Sequence, residues 1–117
     1  MQSPTTLSKD AALHAVPILS SDIHLQTSTR GFIRISYPIQ LKPWLARLLT
    51  KNIPLPMRTL ELDSMGSFVW NHIDGRNSVQ NLVEIVTNHY KCHPSEAEHA
   101  VAIFIRQLGR RGILGLH

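Results

Sequence analysis

The sequence predicts an α+β domain in which three helices cover one side of a small three-stranded antiparallel sheet. Apolar residues alternate between Asp22 and Pro38 and again over Arg58–Leu62, as half-buried strands require. From Asp63 onward they recur instead at spacings of three and four, the period of a helix with one buried face. Prolines and Asp-Gly or Gly signals separate these runs.

Residues 1–16 show no apolar period and are rich in Ser, Thr and small side chains, so a flexible N-terminal arm is expected before a single domain over 17–117. Ile23 and Leu25, then Phe32–Tyr37, predict two strands joined near Thr29-Arg30-Gly31, a hairpin. Pro38, Pro43, Pro54 and Pro56 forbid a long regular element over 38–57, which reads as an insert carrying one short helix that starts after Pro43. The third strand is Arg58–Leu62, with Leu60 and Leu62 on one face and Thr59 and Glu61 on the other.

Asp63 suits the N-cap of the first of three helices, whose Met65, Phe68, Val69 and Ile73 lie at helical spacing and which Asp74-Gly75 ends. Ser78 caps the second, where Val79, Leu82, Val83, Val86 and Tyr90 form a stripe expected to be buried. Pro94 opens the third. Glu96 and Glu98 complement its positive end, Arg106, Arg110 and Arg111 its negative end, and Gly112 stops it. Its core face is Ala97, Val101, Phe104, Ile105 and Leu108, followed by Ile113 and Leu114. Hairpin, insert, strand and three helices in this order resemble a winged helix-turn-helix.

A chain of 117 residues, 43% hydrophobic, supplies one core and excludes a two-domain enzyme. It has no apolar run of the roughly 20 residues that a membrane span needs, and Met1–Leu19 lacks the pattern of a secretory signal. A soluble cytoplasmic protein with no membrane partner is expected. Cys92 is alone, so no intramolecular disulfide forms. The net charge of +4 is lopsided: residues 1–59 carry seven Lys or Arg against two Asp, whereas residues 60–117 carry five Arg or Lys against six acids.

No catalytic signature is present, neither G-x-S-x-G nor a phosphate-binding G-x-x-x-x-G-K, and Glu96 and Glu98, two apart on a helix, point in different directions. His89, Cys92, His93 and His99 cluster in sequence but fit no familiar metal spacing; His93 reads as a helix-start residue, and no metal or cofactor is expected. Trp44 and Trp70 read as packing residues of the insert or core. A DNA-binding winged-helix regulator is the alternative function, opposed by Glu96 and Glu98 at the helix end that would meet phosphates. A third reading makes Pro38–Pro56 a docking or homodimerisation element.

Four motifs point further: LDSMGSFVW at Leu62–Trp70, DGRNSV at Asp74–Val79, Tyr90 at the end of the second helix, and VAIFIRQLGRRGIL at Val101–Leu114. With them, residues 60–114 resemble the family of the pyrroloquinoline-quinone biosynthesis protein D, the recognition elements of ribosomally made, post-translationally modified peptides. The chain departs from the commoner pattern in its longer 38–57 link and in Ala100, where an acidic residue often stands. The resemblance implies a non-catalytic, chaperone-like adaptor that binds the leader segment of a precursor peptide and presents it to a modifying enzyme, such as a radical-SAM protein or a cyclodehydratase. It implies that the leader adds to the strand Arg58, Thr59, Leu60, Glu61 and Leu62 and lies against the third helix.

The residues add their own pointer. An edge strand carries unpaired N–H and C=O groups that accept an extended chain. With Val101, Phe104, Ile105 and Leu108 inward, Ile103 lies roughly 160–200° from Val101 and Ile105 and faces outward. Ile103, with Ala100 and Gln107, is therefore the expected lining of the peptide groove. Arg58 and Arg106 are the expected partners of acidic leader residues, with Arg110 beside them.

Overall fold

The computed structural model describes residues 9–48 and 56–117. The rest of the arm, residues 1–8, and the middle of the insert, residues 49–55, including Pro54, lie outside the described residues. In chain order the elements are α1 (Lys9–His14), β1 (Pro17–Leu19), β2 (His24–Thr27), β3 (Ile33–Pro38), α2 (Pro43–Leu48), β4 (Met57–Glu61), α3 (Ser64–Trp70), α4 (Val79–Tyr90), α5 (Pro94–Arg110) and β5 (Leu114–Leu116). They make a small mixed α/β domain with two antiparallel sheets, β2-β3-β4 and the ribbon β1-β5.

The β2–β3 hairpin closes where expected. Ser28 donates its N–H to the Phe32 carbonyl (2.7 Å), its hydroxyl accepts from the Phe32 N–H (3.1 Å), and Gly31 takes φ +83°, open to a residue without a Cβ. β3 then pairs with β4, Ile35 opposite Leu60 and Tyr37 opposite Arg58. One face of this sheet brings Ile35 and Tyr37 into the core; the other carries Ser36, Thr59 and the exposed Arg34–Glu61 ion pair at 3.7 Å. At that exposure such a pair contributes about 1 kcal/mol or less.

Each of the three helices after β4 starts on the cap its sequence offers. The Asp63 carboxylate accepts from the Gly66 N–H (2.7 Å), the Ser78 hydroxyl from the Asn81 N–H (3.1 Å), and His93 Nδ1 from the Ser95 N–H (3.1 Å). α3 ends at Trp70, earlier than Asp74-Gly75, because the chain turns at Asn71 to bring Ile73 into the core. Leu82, Val86, Val101, Leu108 and Ile113 are all but inaccessible and join α4 to α5. Tyr90 departs from the expected stripe: 41% exposed, it meets the edge of Phe68 at the end of α4. Phe104 is only partly buried, for a reason that the groove described below supplies.

The part of the expected arm that is described, residues 9–16, belongs to the fold. Lys9–His14 form α1, Leu13 packs on the core, and the Ala15 carbonyl accepts from the Val79 N–H (2.9 Å), one of the donors that the first turn of α4 leaves unpaired. Beyond it, β1 pairs with β5, Pro17 opposite Leu116 and Leu19 opposite Leu114, a ribbon absent from the sequence reading. Trp70 is buried as expected, whereas Trp44 on α2 stands 61% exposed.

The turn between α3 and α4 carries a pH signature. The Asp74 carboxylate accepts from the backbone N–H groups of Asn77 (2.8 Å) and Arg76 (2.9 Å), and these bonds hold its pKa below the usual carboxylate value. A depressed folded-state pKa stabilises the fold above the unfolded pKa, and that contribution disappears as pH falls through the folded value. The melting-temperature gap between wild type and Asp74→Ala should therefore be constant around neutrality and shrink in acid, below the ordinary carboxylate range. A gap that is flat into strong acid would contradict this assignment.

Candidate functional site

β4 is an edge strand: β3 covers one side, and no strand of the described residues covers the other. Which of its backbone groups are free follows from two bonds. Leu62 donates to the Ile33 carbonyl (2.8 Å) and Ile39 to the Pro56 carbonyl (3.1 Å), and pairing alternates along an antiparallel ladder. Residues 58, 60 and 62 therefore bond to β3, while the N–H and C=O of Met57, Thr59 and Glu61 face the open edge.

Beside that edge runs a groove of ≈ 360 Å³ between β4, α3 and α5. Its floor is made by the buried Leu62, Val69 and Leu108, its walls by Leu60, Met65 and Phe104, and its α5 rim by Ala100, Ile103 and Gln107. Ile103 is 39% exposed and Phe104 partly so, because both look into this open groove. Gly66 lets the walls meet: a Cβ there would lie 3.2 Å from the Phe104 ring and 3.3 Å from the Leu62 Cβ. The acidic residues on the lining are Glu61, whose carboxylate is held toward Arg34 on the opposite face of the sheet, and Asp63, whose carboxylate caps α3.

The structure thus brings together Leu60, Glu61, Leu62, Ala100, Ile103 and Gln107 of the residues singled out from the sequence. Thr59 joins them through its outward backbone, its hydroxyl lying 3.4 Å from Ser36 on the opposite face. Arg58, Arg106 and Arg110 do not line this groove. Arg58 lies with Tyr37, Gln40, Arg110 and Arg111 around a separate hollow, and Arg106 and Arg110 border a third, on the far flank of α5. For Arg106 the reason is angular: from Ile103, Ala100 and Gln107 are rotated about 60° and 40° one way, Arg106 about 60° the other. Met65, Gly66, Val69 and Phe104 were missed as groove residues; the close approach demanded of the glycine in LDSMGSF was the available signal.

The LDSMGSFVW and VAIFIRQLGRRGIL segments are thus the two walls of one groove, and comparison with known families accounts for them. The profile of the family described as Coenzyme PQQ synthesis protein D (PqqD) matches residues 55–114, about half of the chain. The chain belongs to the PqqD family. As a PqqD-family domain it is similar in structure to the PqqD truncation of Methylobacterium extorquens PqqCD, solved by solution NMR, with a TM-score of 0.57. Sequence identity is 23%, and the match covers 86% of this chain and 88% of that one, a likeness of fold. That protein is described as a functional and stand-alone ribosomally synthesized and post-translationally modified (RiPP) recognition element. Among curated proteins, none matches.

Three of the histidines serve local structure in this PqqD-family chain. His89 stacks on Phe68 with ring centroids 4.1 Å apart, His72 donates from Nδ1 to the Phe68 carbonyl (2.9 Å), and His93 caps α5. Among the described residues, no three His, Cys, Asp or Glu side chains are placed to hold a metal, and no helix is long and apolar enough to cross a membrane.

Proposed function

We propose that this protein is a non-catalytic adaptor that captures the leader segment of a ribosomal precursor peptide by strand addition to β4 and presents it to a modifying enzyme. One observation carries the reading: the outward backbone of Met57, Thr59 and Glu61 runs beside an apolar groove that ends at Ile103. Membership of the PqqD family and the likeness to a RiPP recognition element support it. The domain is winged-helix-like, its binding strand being the last of the three-stranded sheet. Backbone pairing contributes about 0.5–1.5 kcal/mol net per hydrogen bond and tolerates many sequences, so the groove supplies selectivity through apolar leader side chains.

The bases reach the peptide differently from the first expectation. Arg58, near the start of β4, is the base nearest the strand, whereas Arg106 and Arg110 lie beyond the α5 ridge. The enzyme partner, a radical-SAM protein or a cyclodehydratase, acts on the bound peptide; the adaptor contributes orientation and a raised local concentration.

Titrating the leader segment of a ribosomal precursor peptide against wild type and Ile103→Asp tests the groove. A charge on the apolar rim should weaken binding at least tenfold while melting stays within a few degrees of wild type, since Ile103 is already 39% exposed. Unchanged affinity in the folded variant would remove Ile103 from the site.

A further inference from the structure

Arg106 and Arg110 belong to a second groove on the opposite flank of α5. It encloses ≈ 840 Å³, more than twice the first, and its apolar lining includes Ala102 and Ile105 of α5 and Leu114 and Leu116 of β5. β5 is itself an edge strand: β1 covers one side, and no strand of the described residues covers the other. Val16 and His117 exchange both backbone bonds (3.1 and 2.9 Å), and Ser20 donates to the Ile113 carbonyl (2.8 Å). By the alternation of the ladder, residues 113, 115 and 117 bond toward β1, and the N–H and C=O of Leu114 and Leu116 face the open edge. A strand edge, an apolar trough and α5 thus recur on this side with a different wall.

The electrostatics differ in sign. The first groove has two acidic residues and no basic one on its lining, with Glu61 engaged by Arg34 and Asp63 by the start of α3, whereas the second is bordered by Arg106 and Arg110, neither of which has an ion-pair partner among the described residues. One helical turn apart, these two lie about 6 Å from each other along the axis, close to the ~7 Å between alternate residues of a strand. The two grooves therefore select different segments.

We infer that the second groove receives an extended, acidic segment of a partner protein, which pairs with the β5 edge, seats an apolar side chain between Ala102, Ile105 and Leu116, and sets two alternate carboxylates on Arg106 and Arg110. The site is separate from the leader groove, and its test separates the two.

The probe is a fluorescein-labelled heptapeptide, Thr-Leu-Thr-Glu-Thr-Glu-Thr, titrated with the full chain by anisotropy. It should bind saturably, and replacing both Glu by Gln should weaken binding at least tenfold. Arg106→Glu with Arg110→Glu should abolish binding of the Glu peptide and restore it for the version carrying Lys in place of both Glu. Ile103→Asp should leave the affinity within twofold. Both arginines are exposed, and circular dichroism verifies that the double variant folds. No saturable binding, equal binding by the double variant, or an equal loss in Ile103→Asp would each overturn the proposal. So would a double variant that changes the sedimentation mass of the protein and not its peptide affinity, which would assign the face to a second copy.

Discussion

Thr59→Pro should leave the domain folded and cost the protein more than tenfold in affinity for an extended leader peptide. Thr59 is one of the β4 residues whose N–H points away from β3, so proline removes no bond of the ladder, and an edge strand tolerates proline in that orientation. What is lost within the fold is the 3.4 Å contact between the Thr59 and Ser36 hydroxyls, both partly solvated. An incoming strand loses more: the donor it would accept from is gone, and the ring occupies the space of its carbonyl. One hydrogen bond at about 0.5–1.5 kcal/mol, together with that steric block, accounts for a tenfold loss. Leu60→Pro is the control. Its N–H bonds to β3 and its side chain lines the groove, so that variant should unfold the sheet, at a cost of about 3 kcal/mol or more. Binding and melting curves for the two proteins read out the parity of the strand; full affinity in folded Thr59→Pro would exclude strand addition at β4.

The second large effect is on stability. Leu108 is 0% exposed, lies between α4 and α5, and forms part of the floor of the groove beside β4. Leu108→Ala should cost about 2–5 kcal/mol through lost burial and the cavity left behind. That is a large part of the roughly 5–15 kcal/mol that holds a domain of this size together. The melting temperature should fall on the order of 10–20 °C. Ile103→Ala, on the same helix but at the rim, should move it by only a few degrees. Equal losses at the two positions would mean that the groove is closed in solution and that Ile103 is a core residue.

The parts legible in the sequence are those with a strong local signal. Asp63, Ser78 and His93 are helix caps that need only their own next turn, and the Ala97, Val101, Ile105 and Leu108 face follows from the period of one helix. The β4 register was legible because Leu60 and Leu62 alternate with Thr59 and Glu61. The elements that escaped are short or depend on distant partners. Lys9–His14 is too brief to display a period, and the three residues of β1 become a strand only by meeting β5 almost the whole chain away. In the site, Ile103 was legible as an outward apolar residue on a helix whose other face is core. Sequence proximity of Arg106 to Ile103 hides the rotation of about 60° that carries it across the ridge of α5. The exposure of Trp44 likewise reflects the position of α2, which a loop bounded by prolines does not encode locally.

The pairing of Val16 with His117 has an architectural meaning. Strands that lie far apart in the chain are zipped there by two reciprocal amide bonds, so peeling away either strand of the β1-β5 ribbon deprives the other of its partner, and the two come loose together.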